Sequence, residues 1–394
     1  MIRSWPTLAF ALMFGWLGTA GVWGAEVHGD GDPVLRLEGG GPVSALTAVA
    51  FSRDGSTLYE TGWDKVIRVW KRDEAARQFI PHASVRVPIG PGDAGVMNAL
   101  AVSDDENWLA VGGNAVHPDL AGFRQQGLVL PRSSVGESGA AGIVYLFQKD
   151  GRQFSRCRQI RAHHGPVEAL TFVSDPGGPP LLLTAGLETA PEGKGAPPLV
   201  LRLWDVATRQ ERSAVVAGPY QRFRPSLTAW RGPNAPGGVA AAAWSGPSFQ
   251  FWDLTAKAPV SASDPLLGRA LVLCAGDQPR EVLVGHFLEP GTQPRQPEGS
   301  VAVWDASAKT VTRRQVLSWT GKDPAPPNVK AVPVALSLVS SRPGGQRDLL
   351  AVVMRALTAP PTPPEKTAFS LQLLDLDPKK FGVVRARVEL WTGP

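Results

Sequence analysis

One signature recurs six times along the chain: a short run with β-type alternation that ends in a bulky apolar residue. VIRVWK, IVYLFQ, LRLWDV, FQFWDL, VAVWDA and LQLLDL place that residue at Trp70, Phe147, Trp204, Trp252, Trp304 and Leu374, and Asp follows it in the last four. The copy with the clearest flanks is PVSALTAVAFSRDGSTLYETGWDKVIRVW, from Pro42 to Trp70. It predicts three strands, Val43 to Phe51, Thr57 to Thr61 and Val66 to Trp70. Ser52-Arg53-Asp54-Gly55 and Gly62-Trp63-Asp64-Lys65 are the turns between them. Asp-Gly between apolar runs is a strong hairpin signal, because Gly tolerates positive φ and Asp can bond its own turn backbone. Such a three-stranded meander has too little inner face to be stable alone, so it requires neighbours like itself.

The other copies follow in order. The second is predicted at Val96 to Val102, Trp108 to Val111 and Gly142 to Phe147; the third at Gly165 to Val173, Leu181 to Thr184 and Leu199 to Trp204. The fourth comprises Ser226 to Trp230, Val239 to Ala243 and Ser248 to Trp252; the fifth Leu271 to Cys274, Glu281 to Gly285 and Ser300 to Trp304. The sixth comprises Val334 to Val339, Asp348 to Val353 and Phe369 to Leu374. Pro33 to Glu38, Gln78 to Pro88, Val383 to Leu390 and the polar or Arg-bearing runs after the third to fifth copies read as outer strands. The 43 Gly and 37 Pro of the 394 residues suit many tight turns, and no uninterrupted helix-period segment of 12 or more residues stands out after the N-terminus. The expected class is all-β.

Six copies of a short-stranded motif, three of them ending Trp-Asp, resemble the WD-repeat family of β-propellers, whose repeat runs about 40–45 residues with four strands per blade. The resemblance spans residues 33–391. It implies six recognisable repeats, either closed as six blades or forming an incomplete seven-blade ring. In well-matched repeats of that family a His, a Ser or Thr, an Asp and a Trp form a buried hydrogen-bond chain. Carried over, the first copy supplies Thr61, Asp64 and Trp70, with its His position lost in the Gly39-Gly40 run. The third supplies His163, Thr184 and Trp204, with its Asp position lost in an insertion. Trp252-Asp253 and Trp304-Asp305 are the matching anchors of the fourth and fifth. These roles are structural, since mutually satisfied buried polar groups specify a fold.

The resemblance also implies where the extra residues go. The long intervals fall at about Gly113 to Ala140, Leu187 to Pro198, Phe287 to Glu298 and Ala356 to Lys366, each between the second and third strands of its copy. In a propeller those loops share a rim, so the insertions enlarge one face, the usual position of a binding face in a repeat protein. Trp63 lies in the corresponding loop of the first copy, and Trp244 is near the equivalent place in the fourth. Exposed aromatics of this kind are hot-spot material. The competing reading is that the loops are unselected insertions, which surface loops tolerate at little thermodynamic cost.

The remaining sequence narrows the function by what it lacks. It has no phosphate loop with Lys-Ser or Lys-Thr, no His-Glu-x-x-His and no Gly-x-Ser-x-Gly elbow, and its six His have no metal-ligand spacing. No enzyme activity, cofactor or metal is expected, with a propeller enzyme as the remote alternative. The net charge is +5. Its Arg residues gather in the expected outer strands, at Arg152, Arg156, Arg158 and Arg161; Arg209, Arg212, Arg222 and Arg224; Arg313 and Arg314; and Arg385 and Arg387. Charge there guards sheet edges against aggregation, and its spread around the perimeter argues against a nucleic-acid surface. Cys157 and Cys274, in different repeats, are expected to be small buried or half-buried residues. The expected partner is a protein or peptide.

Both ends of the chain carry expectations of their own. Residues 1–25 have the layout of a secretory signal peptide: Arg3, an apolar run from Leu8 to Leu17, and small residues before cleavage after Gly24 or Ala25. Export follows, to periplasm, envelope or medium, with an uncleaved anchor as the alternative. At the other end, Leu390-Trp391-Thr392-Gly393-Pro394 looks like the lead-in to a further repeat. Either the chain continues into a longer exported protein, for which it is the sensor or regulatory part, or Pro33 to Glu38 and Val383 to Leu390 compete to close a ring of six.

Overall fold

The computed structural model describes residues 42, 44–52, 54–73, 75, 78–87, 94–114, 142–150, 153–173, 179–188, 197–219, 225–230, 240–244, 249–260, 269–275, 281–288, 298–305, 310–316, 329–340, 347–358, 368–375 and 384–392. Residues 1–25, Pro33 to Glu38 and most of each insertion lie outside this set. The described residues form six four-stranded antiparallel sheets, each taking four strands in sequence order.

Four of the sheets belong to a compact unit of residues 42–263. The first contains β1 (Leu46–Phe51), β2 (Thr57–Gly62), β3 (Val66–Asp73) and β4 (Gln78–Arg86). The second contains β5 (Met97–Val102), β6 (Trp108–Asn114), β7 (Gly142–Asp150) and β8 (Gln153–His163). The third contains β9 (Val167–Val173), β10 (Leu181–Leu187), β11 (Pro198–Asp205) and β12 (Glu211–Pro219). The fourth contains β13 (Leu227–Trp230), β14 (Ala240–Trp244), β15 (Phe249–Asp253) and β16 (Ala258–Val260). The other compact unit includes residues 264–394. Its sheets are β17 (Arg269–Ala275), β18 (Glu281–Leu288), β19 (Glu298–Asp305), β20 (Thr310–Val316) and then β21 (Val329–Ser340), β22 (Arg347–Thr358), β23 (Ala368–Asp375), β24 (Val384–Thr392). The predicted outer strand at the C-terminus is β24, which pairs with β23 and draws Trp391 and Thr392 into the ladder.

Local chemistry sets the turns. After β1, Ser52 Oγ donates to Asp54 Oδ1 at 2.6 Å, Ser56 N–H donates to the same oxygen at 2.9 Å, and Gly55 takes φ +70°. The turn after β5 repeats this with Ser103, Asp105 and Glu106, where Glu106 takes φ +57°. The Asp that follows the repeat Trp has a separate task. Asp205 Oδ1 accepts from the N–H groups of Ala207 and Thr208, and Asp253 Oδ1 from those of Thr255 and Ala256, so each ties the turn to the outer strand. The polar turn residues thereby satisfy backbone donors that strand pairing leaves open.

Packing explains the continuous apolar runs of the central strands. Successive side chains in a strand point to opposite faces, and here both faces are covered. Ile143, Tyr145 and Phe147 pack with Tyr59, Ile67 and Val69 of the first sheet. Val144 and Leu146 pack on Leu182 and Trp204 of the third. Leu181 and Leu183 face Trp252 and Leu254 of the fourth. Neighbouring sheets are also stitched by hydrogen bonds: Thr47 Oγ1 donates to Met97 O at 2.6 Å, and Asn98 Nδ2 to Val167 O at 3.2 Å. Thr47 and Asn98 each sit at a bulge, where the extra residue is free of the ladder and can reach sideways. Cys157 differs from expectation. It lies on outer strand β8 and is an exposed free thiol, because the outer strand's other face is open. The side chain of Cys274 is outside the described residues.

Candidate functional site

The polar centre of the third sheet is a chain of four side chains. The indole N–H of Trp204 donates to Thr184 Oγ1 at 3.0 Å; Thr184 Oγ1 lies 2.9 Å from His163 Nε2; His163 Nδ1 lies 3.1 Å from Glu188 Oε1. The proton positions follow from chemistry. A carboxylate only accepts, so His163 Nδ1 carries the hydrogen; an indole only donates, so the Thr184 hydroxyl proton is free to point at Nε2. The chain runs one way, from Trp204 to Glu188, with His163 neutral. Burial pushes the His163 pKa below its ordinary value, against the pull of Glu188. Partial burial acts to raise the Glu188 pKa, but hydrogen bonds from His163 and His164 and the Arg202 charge bring it down to about 2. Arg202 reaches Glu188 at 3.1 Å and also pairs with Glu211.

His163, at the end of β8, therefore fastens the second sheet to the third. The site needs Gly186 beneath it: a Cβ there would sit 2.3 Å from His163 Cγ. The acidic partner expected to be lost in the third repeat is in fact present. Glu188, the second residue of the predicted insertion, supplies it.

Register corrects the first repeat. Trp204 pairs with Leu182, and Trp70 with Leu58, so the residue level with Thr184 is Glu60 and not Thr61. Thr61 points to the other side of β2, where it is fully buried and its hydroxyl donates to Val66 O at 3.1 Å. Glu60 is 3% exposed, and neither its Oε1 nor the Trp70 indole nitrogen closes a hydrogen bond. Burial raises the Glu60 pKa, opposed by the nearby Trp70 indole and Arg68. Asp64 stands two residues beyond Gly62 as Glu188 does beyond Gly186, and pairs with Arg68 at 2.6 Å as Glu188 does with Arg202. The first strands keep the same level, Phe172 pairing with Leu182 and Phe51 with Leu58, so the counterpart of His163, nine residues back, is Pro42, which has no imidazole.

In the fourth and fifth repeats the level of Thr184 holds Ala243 and Val284, which have no hydroxyl. Trp252 and Trp304 are buried there as packing anchors. Asp253 caps its turn as described, and Asp305 pairs with Thr310 at the matching position.

The second feature is the end of each sheet where the second strand passes to the third. The four long connections all lie there, after β6, β10, β18 and β22. Trp63 N–H donates to Ala45 O at 3.0 Å, Asn114 N–H to Val96 O at 2.9 Å and Leu187 N–H to Pro166 O at 3.1 Å. Trp63, Asn114 and Leu187 are thus equivalent positions on three neighbouring sheets. Trp63 is 54% exposed on a turn held by the Asp64–Arg68 pair. Trp244 ends β14, level with Thr61 and Ala185 and two residues before the level of Trp63; its side chain lies outside the described residues. Among the described residues no three His, Cys, Asp or Glu are grouped to hold a metal ion.

Residues 31–71 match the WD domain, G-beta repeat family. No curated protein matches the sequence. The WD40 β-propeller domain of Doa1 superposes with a TM-score of 0.50 at 10% identity, over 88% of this chain and 83% of that one. The structure of U3-55K and the WD40 repeats of RRP9 each give 0.49 at 14% identity, over 81% of this chain and 78% and 77% of theirs respectively. At these identities the likeness to Doa1 concerns the fold. Residues 31–71 thus carry one repeat of the WD domain, G-beta repeat family, and the likeness to Doa1 adds that the described sheets share the fold of a WD40 β-propeller domain.

Proposed function

We propose that the chain is a non-catalytic binding platform that takes a protein or peptide on the end of its sheets bearing the second-to-third strand connections. WD40 propellers typically serve as protein-interaction scaffolds, and the observation that selects this end is Trp63. A large aromatic 54% exposed to solvent, on a turn pinned by a backbone bond to Ala45 and a buried ion pair, offers apolar area with little ordering cost on binding. The platform works outside the cytoplasm, after removal of the apolar leader. Among the described residues no helix is long and apolar enough to cross a membrane.

The test uses a displayed peptide library panned on the purified chain. Binders selected on the unaltered protein are expected to lose at least tenfold in affinity on Trp63→Ala, whose denaturation midpoint stays unchanged. Binders that retain full affinity for Trp63→Ala and for variants with shortened second-to-third connections would overturn the proposal.

A further inference from the structure

The chain from Trp204 to Glu188 is satisfied in only one protonation state, and it sits where two sheets join. Around His163, Thr184 and Glu188 project from the β10 side, Arg202 from β11 and Glu211 from β12, with His164 next in sequence. His163 Nε2 faces a hydroxyl whose oxygen already accepts from Trp204. A proton on Nε2 would place two hydrogens against each other. The Thr184 hydroxyl has one other acceptor, the Arg202 carbonyl at 3.4 Å, a long and weak alternative. His163 has no side-chain exposure, so its added charge meets no water while the join stays closed.

We propose that His163, His164, Glu188 and Arg202 form a pH-responsive clasp that holds the end of β8 on the third sheet at neutral pH and releases it in mild acid. His163 donates from inside the clasp and drives opening when a second proton arrives. His164 is half exposed and its Nδ1 also meets Glu188, so replacing it isolates the contribution of His163. An exported chain that enters an acidic compartment would thus change the connection between its second and third sheets without unfolding its cores. The clasp is independent of what Trp63 binds.

Amide hydrogen exchange on the full chain, corrected for intrinsic rates, tests this. In a His164→Gln background, the opening constant of amides at 160–163 and 184–187 is expected to rise about 30-fold between pH 7.5 and pH 5. That is the limit for an imidazole that titrates normally when open and stays neutral when closed. Adding His163→Gln should abolish the rise. No rise in the His164→Gln protein, or an equal rise in the double variant, would overturn the clasp. Should the double variant fail to fold, the His163 imidazole resonance in the unaltered protein decides. Titration within the ordinary histidine range with no faster exchange at 160–163 refutes the proposal, and protonation coincident with local opening supports it.

Discussion

Thr184→Val is the sharpest probe of the fold, because it changes almost no volume and removes one oxygen. That oxygen has two buried partners, the Trp204 indole N–H at 3.0 Å and His163 Nε2 at 2.9 Å. Valine leaves both without a partner in a site where Thr184 itself is fully buried. Each orphaned buried group costs about 1–3 kcal/mol. The two share one site and can relax together, so the costs do not simply add, and a loss of about 2–4 kcal/mol is expected. Thr184→Ser keeps the hydroxyl and loses a methyl, which limits its cost to about 1 kcal/mol. The assay is urea denaturation followed by tryptophan fluorescence at pH 7.5, comparing midpoints and slopes. A Thr184→Val protein within about 0.5 kcal/mol of the unaltered chain, or a Ser variant as damaged as the Val variant, would refute the reasoning. The first outcome would mean that packing on Leu182 carries the site; the second would place the cost in the methyl group.

Three further outcomes follow from the same geometry. Gly186→Ala forces a Cβ to within 2.3 Å of the His163 ring and should destabilise by about 2–4 kcal/mol in the same denaturation assay. Glu188 is held at about 2, below its ordinary 4.5, so its contribution is complete above pH 4.5 and lost as pH falls toward 2. The full shift would correspond to about 3 kcal/mol, and the carboxylate's partial contact with water reduces this to about 1–2 kcal/mol; Glu188→Gln should flatten the pH 2–4.5 part of the stability curve. Glu60 is held above its ordinary value, so its charged form opposes folding at neutral pH. Glu60→Thr should therefore stabilise by about 1 kcal/mol at pH 7 by giving Trp70 an acceptor. The gain should shrink as pH falls below the ordinary carboxylate range, where the unfolded Glu60 is itself protonated; thermal melts at pH 7 and pH 4 measure it.

The large features could be read along the chain because they are local. Apolar runs between Ser-x-Asp turns mark the strands, and the positions of the extra residues assign them to one loop type before any coordinates are considered. The side-chain partners were harder to read. Thr61 matches the residue type that the hydrogen-bond chain requires, yet Glu60 occupies the position. A signal was available: Gly62 and Gly186 stand at one level, and counting back two residues from each reaches Glu60 and Thr184. Counting forward two reaches Asp64 and Glu188, which would have found the acidic partner inside what otherwise looks like an insertion.

Sequence by itself determined the class, the repeat, the strand order within each sheet and the loops that carry extra residues. All of these follow from periodicity and turn chemistry within a few consecutive residues. Only the tertiary structure decided that Glu60 lies where a hydroxyl belongs, that Glu188 closes the chain through His163, and that Trp63 stays in solvent. Alternation along a strand says that neighbouring residues face opposite ways. Which of them meets the next sheet depends on the register of pairing with distant strands, and a slip of one residue exchanges the two faces.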